Sequence, residues 1–408
     1  MTRLIRTSLV VALVLGVLSS GTASGRLVNI ARKANIRQTS RTFSVNPADY
    51  NRDGREDFFL VRHNPDHLGR EIPLSKLYRR GRGGYRLRAA RMFGRTDKHG
   101  CAWGRANRDR RPDLFCAIGL TQRSVNELWI QKRGGRFVNR ARRLGLTKEP
   151  HGRYRYATFI HANRDRRPDI YVARYNGGCF CSYAYEGDKW PNELWIRTRS
   201  GFRKAPAFGL NKRISAAKDN TSCAQAVDYD NDGDEDLLVC GQKRLHLYRN
   251  RNGRGFRDIT RRKDIQGRAI DARLVRLNRD RRYDLLRLTR DKLFVRFGNR
   301  SGGFRHRRAL SSPAAPTGLA VGRFNRDKRI DIYVLSSRGR TRRDQPDRVL
   351  IKRRNRGGYR VHRIRRVSRG SGDDVAAINY KRGRRVGFLV TNGNKKTPGP
   401  LQLWVWRR

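Results

Sequence analysis

The sequence is poor in acidic side chains, in methionine and in long apolar runs. Its 408 residues include 35 Asp and Glu against 95 Lys and Arg, which gives a formal net charge of +60. After the N-terminal segment, no apolar run approaches the length that a membrane-spanning helix needs. The HExxH, GxSxG and phosphate-loop motifs are missing, which excludes the common metalloprotease, serine hydrolase and nucleotide-binding patterns.

The first residues have the pattern of a secretory signal. Arg3 and Arg6 precede the apolar run "LVVALVLGVL", and the small residues of "SSGTASG" follow it. This pattern predicts a signal peptide over residues 1–24, with an uncleaved membrane anchor as the alternative. We therefore expect a secreted chain, in the extracellular space or the cell envelope, whose mature part has no transmembrane segment.

A nine-residue polar loop recurs seven times along the chain. The copies are 56, 56, 67, 48, 47 and 56 residues apart and start at Asp49, Arg105, His161, Asp228, Arg276, Arg323 and Asn379. An apolar strand precedes each loop, and up to three further strand-like segments follow it. Four short antiparallel strands per repeat are typical of a propeller blade. The sequence therefore predicts an all-β fold, a single seven-bladed propeller over residues 26–408. Two or three separate β domains are the alternative, but no linker interrupts the repeat.

The two chain ends complete each other. The seventh repeat stops after its third strand, "LQLWVWRR", while "RLVNIARKANI" near the N-terminus is similar to the fourth strand "RFVNRARRLGL" of another repeat. We expect the N-terminal strand to pair beside the last one, because closure of the ring protects both sheet edges.

Four cysteines are spaced so that they face one another in hairpins. Counted from the start of each loop, Cys101 and Cys116 lie four residues before and eleven after, and Cys223 and Cys240 lie five before and twelve after. In an antiparallel hairpin, the two positions of every facing pair, counted from the start of the loop, add up to the same number. That number is 7 for both pairs of cysteines. Disulfides Cys101–Cys116 and Cys223–Cys240 are predicted, with buried thiols as the alternative. For Cys179 and Cys181 a local bridge, a free pair and a link to a partner all stay open.

The loop "DYDNDGDED" concentrates carboxylates. Asp228, Asp230, Asp232 and Asp236 alternate along a tight curl, and Gly233 permits a positive φ there. Carboxylates at one point repel one another unless a hard cation lies among them, and oxygen ligands suit calcium. The residue at position twelve is a valine instead of the glutamate of an EF-hand, so the loop leads directly into a strand.

The pattern D-x-[DN]-x-D-G-x-x-D before an apolar strand resembles the FG-GAP/VCBS repeats of integrin α-subunit propellers. The segments "HGCAWGRANRDRRPDLF" and "NELWIQKRGGRFVNRARRLGL" are most similar to the cartilage acidic protein-like group. The resemblance implies calcium held by side chains at positions one, three, five and nine and by the carbonyl at seven. Two loops keep this set, so two calcium sites are expected, with a merely acidic surface as the alternative. Their residues are Asp49, Asn51, Asp53, Arg55 and Asp57 in one loop and Asp228, Asp230, Asp232, Asp234 and Asp236 in the other.

Four other loops depart from this pattern together. Position one becomes Arg or His and position six becomes Arg or Lys, while positions five and nine keep Asp. Such changes weaken calcium binding. Our hypothesis is that an arginine takes the place of the cation and bridges the remaining carboxylates, for example Asp109 and Asp113. The alternative is that these arginines point into water.

The excess of positive charge predicts a polyanionic partner. Candidates are an anionic polysaccharide, an envelope polymer or an extracellular protein, with non-specific polyanion binding in addition; compositional drift is the alternative. The long insertion at 175–192 carries Phe180, Tyr183, Tyr185 and Trp190. Aromatic side chains suit sugar stacking or a protein contact, so these four are the predicted ligand-binding residues. A loop packed on its own cysteines is the other interpretation.

These patterns favour a monomeric calcium-binding module for binding or adhesion over an enzyme. A lyase-type enzyme acting on polysaccharides is the alternative function, and a scaffold without a small ligand is a third. His99 and His151 each precede a glycine, which is more typical of turns than of a catalytic pair.

Overall fold

The computed structural model describes most of the chain outside residues 1–24. The described residues are 25–37, 42–62, 72–119, 125–146, 154–174, 192–205, 208, 210, 221–241, 244–325, 327–337, 345–354, 358–364, 372–381, 385–392 and 399–407. The predicted signal peptide lies outside them. So do Cys179, Cys181 and the predicted ligand-binding residues Phe180, Tyr183, Tyr185 and Trp190.

The described residues form seven antiparallel sheets of four strands each, which confirms the predicted propeller. Blades one and two are β2 (Thr42–Ala48), β3 (Asp57–Arg62), β4 (Lys76–Gly81), β5 (Gly84–Ala89) and β6 (Lys98–Gly104), β7 (Asp113–Ile118), β8 (Glu127–Gln131), β9 (Phe137–Asn139). Blades three and four are β10 (Tyr154–Ile160), β11 (Asp169–Arg174), β12 (Glu193–Arg197), β13 (Phe202–Lys204) and β14 (Thr221–Val227), β15 (Asp236–Gly241), β16 (Leu245–Asn250), β17 (Phe256–Asp258).

The remaining blades repeat this order. Blades five and six are β18 (Asp271–Val275), β19 (Asp284–Leu288), β20 (Leu293–Gly298), β21 (Phe304–Ser311) and β22 (Pro316–Gly322), β23 (Asp331–Ser336), β24 (Asp347–Lys352), β25 (Tyr359–Ile364). Blade seven is β26 (Asp374–Lys381), β27 (Arg385–Thr391), β28 (Gln402–Arg407) and β1 (Arg26–Asn29). Short 3-10 turns lie at Arg91–Phe93, Arg133–Gly135 and Arg142–Leu144.

The N-terminal strand closes the ring as predicted. Strand β1 pairs antiparallel with β28, so that Arg26 lies opposite Arg407 and Asn29 opposite Trp404. Asn29 adds a side-chain contact, because its Oδ1 accepts a hydrogen bond of 3.1 Å from the Leu403 amide. The first and last strands of the chain therefore belong to one sheet.

The core lies between the blades. Seven clusters of buried apolar side chains each join two neighbouring blades; one of them packs Ile160 and Tyr171 of blade three against Leu237 and Val239 of blade four. Second strands such as β11 and β15 are buried along their whole length. A strand covered on both faces needs a continuous apolar run, which explains their sequences.

Two disulfides link first to second strands. Cys101 lies opposite Cys116 in blade two and Cys223 opposite Cys240 in blade four, and each pair is bonded. These are the two predicted pairings, and the described residues include no free cysteine. The described part of the chain has no helix with the length and apolar character that a bilayer crossing needs.

Candidate functional site

In blades one to six, the aspartate at position nine of the loop is a buried hydrogen-bond acceptor, whereas the blade-seven loop has a glycine there. In blade two, Asp113 accepts bonds of 2.9 Å from the amides of Ala106 and Gln131. In blade four, Asp236 accepts bonds of 3.1 Å and 2.8 Å from the amides of Tyr229 and Asn250. The same two bonds recur at Asp169, Asp284 and Asp331. This carboxylate therefore ties the loop to the third strand.

Burial shifts the acidity of these carboxylates. Desolvation raises the pKa of Asp113 and of Asp169 to about 6, that of Asp331 to about 7 and that of Asp236 to about 8, against the opposing effect of the amide bonds. At Asp236 the neighbouring acidic side chains add to the increase of the pKa.

The loops of blades one and four, here called the acidic loops, share a curl built on position one. Asp228 accepts bonds of 3.0 Å from the amides of Asp232 and Gly233, and Asp49 makes the equivalent bonds in blade one. Positions four and six both have positive φ: 59° at Asn231 and 89° at Gly233, with similar values in blade one. Glycine at position six therefore occupies the left-handed region, as the sequence predicted.

The curl brings carboxylates together. Oxygens of Asp228, Asp230 and Asp232 all lie within 4.8 Å of one another. Asp230 Oδ1 is buried without a hydrogen-bond partner in the described residues, and in blade one the same holds for Asp57 Oδ2. Burial and then the nearby Asp232 raise the pKa of Asp230.

A third-strand arginine reaches each acidic loop. Arg249 on β16 places Nε 2.9 Å from Asp230 Oδ2 and Nη2 2.9 Å from Asp232 Oδ2. Arg79 on β4 occupies the equivalent position, 3.7 Å from Asp53. We call these two the tethered arginines. The equivalent residues of four other blades are apolar: Ile130, Ile196, Phe297 and Ile351.

The loops of blades two, three, five and six, here called the arginine loops, use a cation of their own. Position seven is an arginine that contacts the aspartate at position five, in the pairs Arg111–Asp109, Arg167–Asp165, Arg282–Asp280 and Arg329–Asp327. The suggested bridge between Asp109 and Asp113 does not form, because backbone amides occupy the Asp113 oxygens. Position six keeps a positive φ of 58° to 62° without glycine.

Position eight distinguishes the two loop classes again. Glu56 accepts bonds of 2.6 Å and 3.0 Å from the backbone and side chain of Asn379 in blade seven. Glu235 accepts a bond of 2.6 Å from the amide of His161 in blade three, and its contact with the imidazole raises the pKa of His161. Each acidic loop therefore also holds the preceding blade. The sequence analysis missed this role, although glutamate occurs at position eight in these two loops alone.

A cleft of about 1220 Å³ opens between the loops of blades two and three. Its walls carry seven arginines: Arg105, Arg108, Arg110, Arg166, Arg167, Arg197 and Arg199. Phe159, Ile160 and Pro168 also line it, and Glu235 of the blade-four loop lies at its edge. The ligand site predicted from the sequence, in the 175–192 insertion, lies outside the described residues and stays a prediction. The sequence does carry a signal for this cleft, because the arginine-rich loops "RANRDRRPD" and "HANRDRRPD" are consecutive copies of the repeat.

Comparison with known proteins identifies the repeat. A family model described as an FG-GAP-like repeat matches residues 228–273, which include the acidic loop of blade four. The chain carries an FG-GAP-like repeat in a seven-bladed propeller. No curated protein matches the chain.

Two solved structures are similar at low identity. One is an Agrocybe aegerita lectin solved with regard to its recognition of non-reducing terminal N-acetylglucosamine: 14% identity and a TM-score of 0.49 over 84% of this chain and 80% of the lectin chain. The other is the Dos1 propeller: 8% identity and a TM-score of 0.48 over 93% of this chain and 94% of the other.

The acidic loops have the chemistry of a hard-cation site. Their donors are oxygens alone, three carboxylates converge in blade four, and each loop keeps a buried oxygen without a hydrogen-bond partner in the described residues. These features fit calcium, which prefers several oxygen ligands. In the arginine loops, position one offers no carboxylate and a guanidinium lies beside position five, so their residues do not fit a cation.

Proposed function

We propose that this protein is an extracellular, calcium-stabilised propeller that binds anionic polymers and serves as a binding or adhesion module. The observation that carries the proposal is the density of arginines, seven of which line the cleft between the loops of blades two and three. Burial and then the nearby Arg363 lower the pKa of Arg348, and burial and then Arg167 lower that of Arg197. An anion relieves such repulsion, and a chain with a formal charge of +60 offers many such places.

Calcium has a supporting part in this proposal. Asp49, Asn51, Asp53 and Asp57 with the Arg55 carbonyl would hold one ion. Asp228, Asp230, Asp232 and Asp236 with the Asp234 carbonyl would hold the other. When bound, calcium supplies the positive charge that these carboxylates need to lie side by side. The two disulfides support the extracellular location, since such bonds persist in oxidising compartments.

The histidine candidate that lies within the described residues does not favour catalysis. His99, a candidate from the sequence, is buried and its Nε2 lies 3.2 Å from Asp97, so it packs inside blade two. Among FG-GAP-like proteins, we place this chain near the cartilage acidic protein-like group, because its segment "HGCAWGRANRDRRPDLF" is similar to that group's loop and strand.

The test is chromatography of the chain without residues 1–24 on immobilised heparin, with an uncharged dextran resin as the control. We expect retention above about 0.15 M salt and a linear fall of log affinity with log salt, because counterions are released. Elution below that salt concentration contradicts the proposal. Incubation with uronic acid polymers that produces unsaturated products overturns it in favour of a lyase.

A further inference from the structure

We propose that the cleft between the loops of blades two and three is a specific site for a sulfated oligosaccharide. This inference rests on the proposed function, because it names the place and the ligand class of the polyanion binding suggested there.

The arginines of the cleft are available to a ligand. Five of the seven make no hydrogen bond or ion pair within the described part of the chain: Arg105, Arg108, Arg110, Arg166 and Arg199. The other two are engaged, since Arg167 contacts Asp165 at 3.3 Å and Arg197 donates to the Gly201 carbonyl at 2.7 Å. A planar guanidinium matches a sulfate group with two parallel hydrogen bonds.

The positive charge of the cleft is not neutralised locally. Its lining includes two carboxylates, Asp165 and Glu235, against seven guanidiniums. Both carboxylates have partners already, because Asp165 contacts Arg167 and Glu235 contacts His161. An incoming anion therefore meets little competition from the protein's own acidic groups, and the wall between two blades concentrates the field.

The floor of the cleft is apolar and fixed. Phe159 at the end of β10 packs against Gly104, where an added Cβ would lie 2.2 Å from the ring. Ile160 is buried beside it, and Pro168 of the blade-three loop also lines the cleft. A sugar ring presents C–H groups on its faces, which suit such a floor, while its sulfate groups reach the walls. The volume of about 1220 Å³ suits several sugar rings.

A glycan fits this site better than a nucleic acid. Single strands bind on rows of aromatic platforms, whereas the described lining contains one phenyl ring, Phe159, and the imidazole of His161, which contacts Glu235. Duplexes are contacted by elements that enter their grooves, whereas this surface is concave. The disulfides also indicate an oxidising compartment outside the cytosol.

The test compares two double variants that remove the same charge from the same loop positions. R108Q/R110N changes positions four and six of the blade-two loop inside the cleft, and R279Q/R281N changes the same positions in blade five outside it. Asparagine is used at position six because it tolerates the positive φ that both arginines have. Calorimetry with a heparin-derived octasaccharide measures affinity, and thermal unfolding verifies that both variants fold.

We expect R108Q/R110N to lose about tenfold or more in affinity, and R279Q/R281N less than about threefold, since distant charges are screened. The same octasaccharide without sulfate groups should not bind. Equal losses in both variants overturn this site while leaving polyanion binding intact. Tighter binding of a single-stranded DNA of equal charge overturns the ligand class. Failure of the unmodified chain to bind heparin defeats the proposed function itself.

Discussion

The acidic loops of blades one and four and the arginine loops of blades two, three, five and six share one frame and differ in how they compensate charge. Both keep the buried aspartate at position nine, with the same link to the third strand. The acidic loops add a carboxylate at position one, glycine at six, glutamate at eight and a tethered arginine. The arginine loops lack all four and pair the aspartate at position five with the arginine at position seven, a position that also holds Arg55 in the acidic loop of blade one.

The residues at positions one, six and eight and the tethered arginine differ together between the two loop classes. In blade four the carboxylates at positions three and five lie side by side and contact the tethered arginine, whereas in the arginine loops the aspartate at position five contacts the arginine at position seven. In the six loops of these two classes position nine is constant, and its partners are backbone amides, which every loop has. This aspartate therefore links the loop to the third strand in both classes, while the variable residues change how the charge of the other carboxylates is compensated.

The largest effect is expected from removal of the aspartate at position nine, which the two loop classes share. Substitution of Asp113 or Asp236 by Ala leaves two buried amides without an acceptor, which costs about 2–5 kcal/mol of unfolding free energy. Urea unfolding in the presence of a chelator measures both, and we expect similar losses. A large loss in blade four alone would show that position nine serves only the metal loops.

A smaller effect, on calcium affinity, is expected from removal of a tethered arginine, which only the acidic loops have. Arg249→Ala removes the cation that contacts Asp230 and Asp232, so calcium should bind this loop about fivefold more tightly, because exposed ion pairs of this kind contribute modestly. Arg257→Ala on the neighbouring strand is the control, since it removes the same charge without a loop contact. An unchanged calcium affinity in Arg249→Ala would mean that the tethered arginine does not compete with calcium.

A further effect is a pH dependence in an arginine loop. Burial raises the pKa of Asp331 from 3.8 to about 7, so the folded chain binds a proton there more tightly than the unfolded chain does. The stability contributed by this proton is present below about pH 4 and is lost as pH rises through 7. Asp331→Asn should flatten the fall in unfolding free energy between pH 5 and pH 8. An identical slope in this variant would show that burial does not raise the pKa of Asp331.

The sequence predicts the fold well because its information is local and repeated. Seven copies of the loop define the blades, the strand at Arg26–Asn29 matches its missing partner, and the spacing of Cys101 and Cys116 gives their register. Because the pattern repeats, the assignment of each copy supports the assignment of the others.

The site is less predictable because its contacts join distant residues. Arg249 lies on the third strand of its blade, and nothing in the loop itself indicates that its side chain reaches Asp230. Glu56 contacts Asn379 across the closing seam, more than three hundred residues away. The cleft forms only when two loops from neighbouring blades face each other, so composition indicates arginine excess but not its place.

The central claim is that two loops bind calcium and that arginine takes the place of calcium in the others. Calorimetric titration of the chelator-treated chain with calcium tests it most directly, alone and with Asp49→Asn or Asp228→Asn. The account predicts two equivalents for the unmodified chain and one for each variant. No binding, or clearly more than two equivalents, would contradict it.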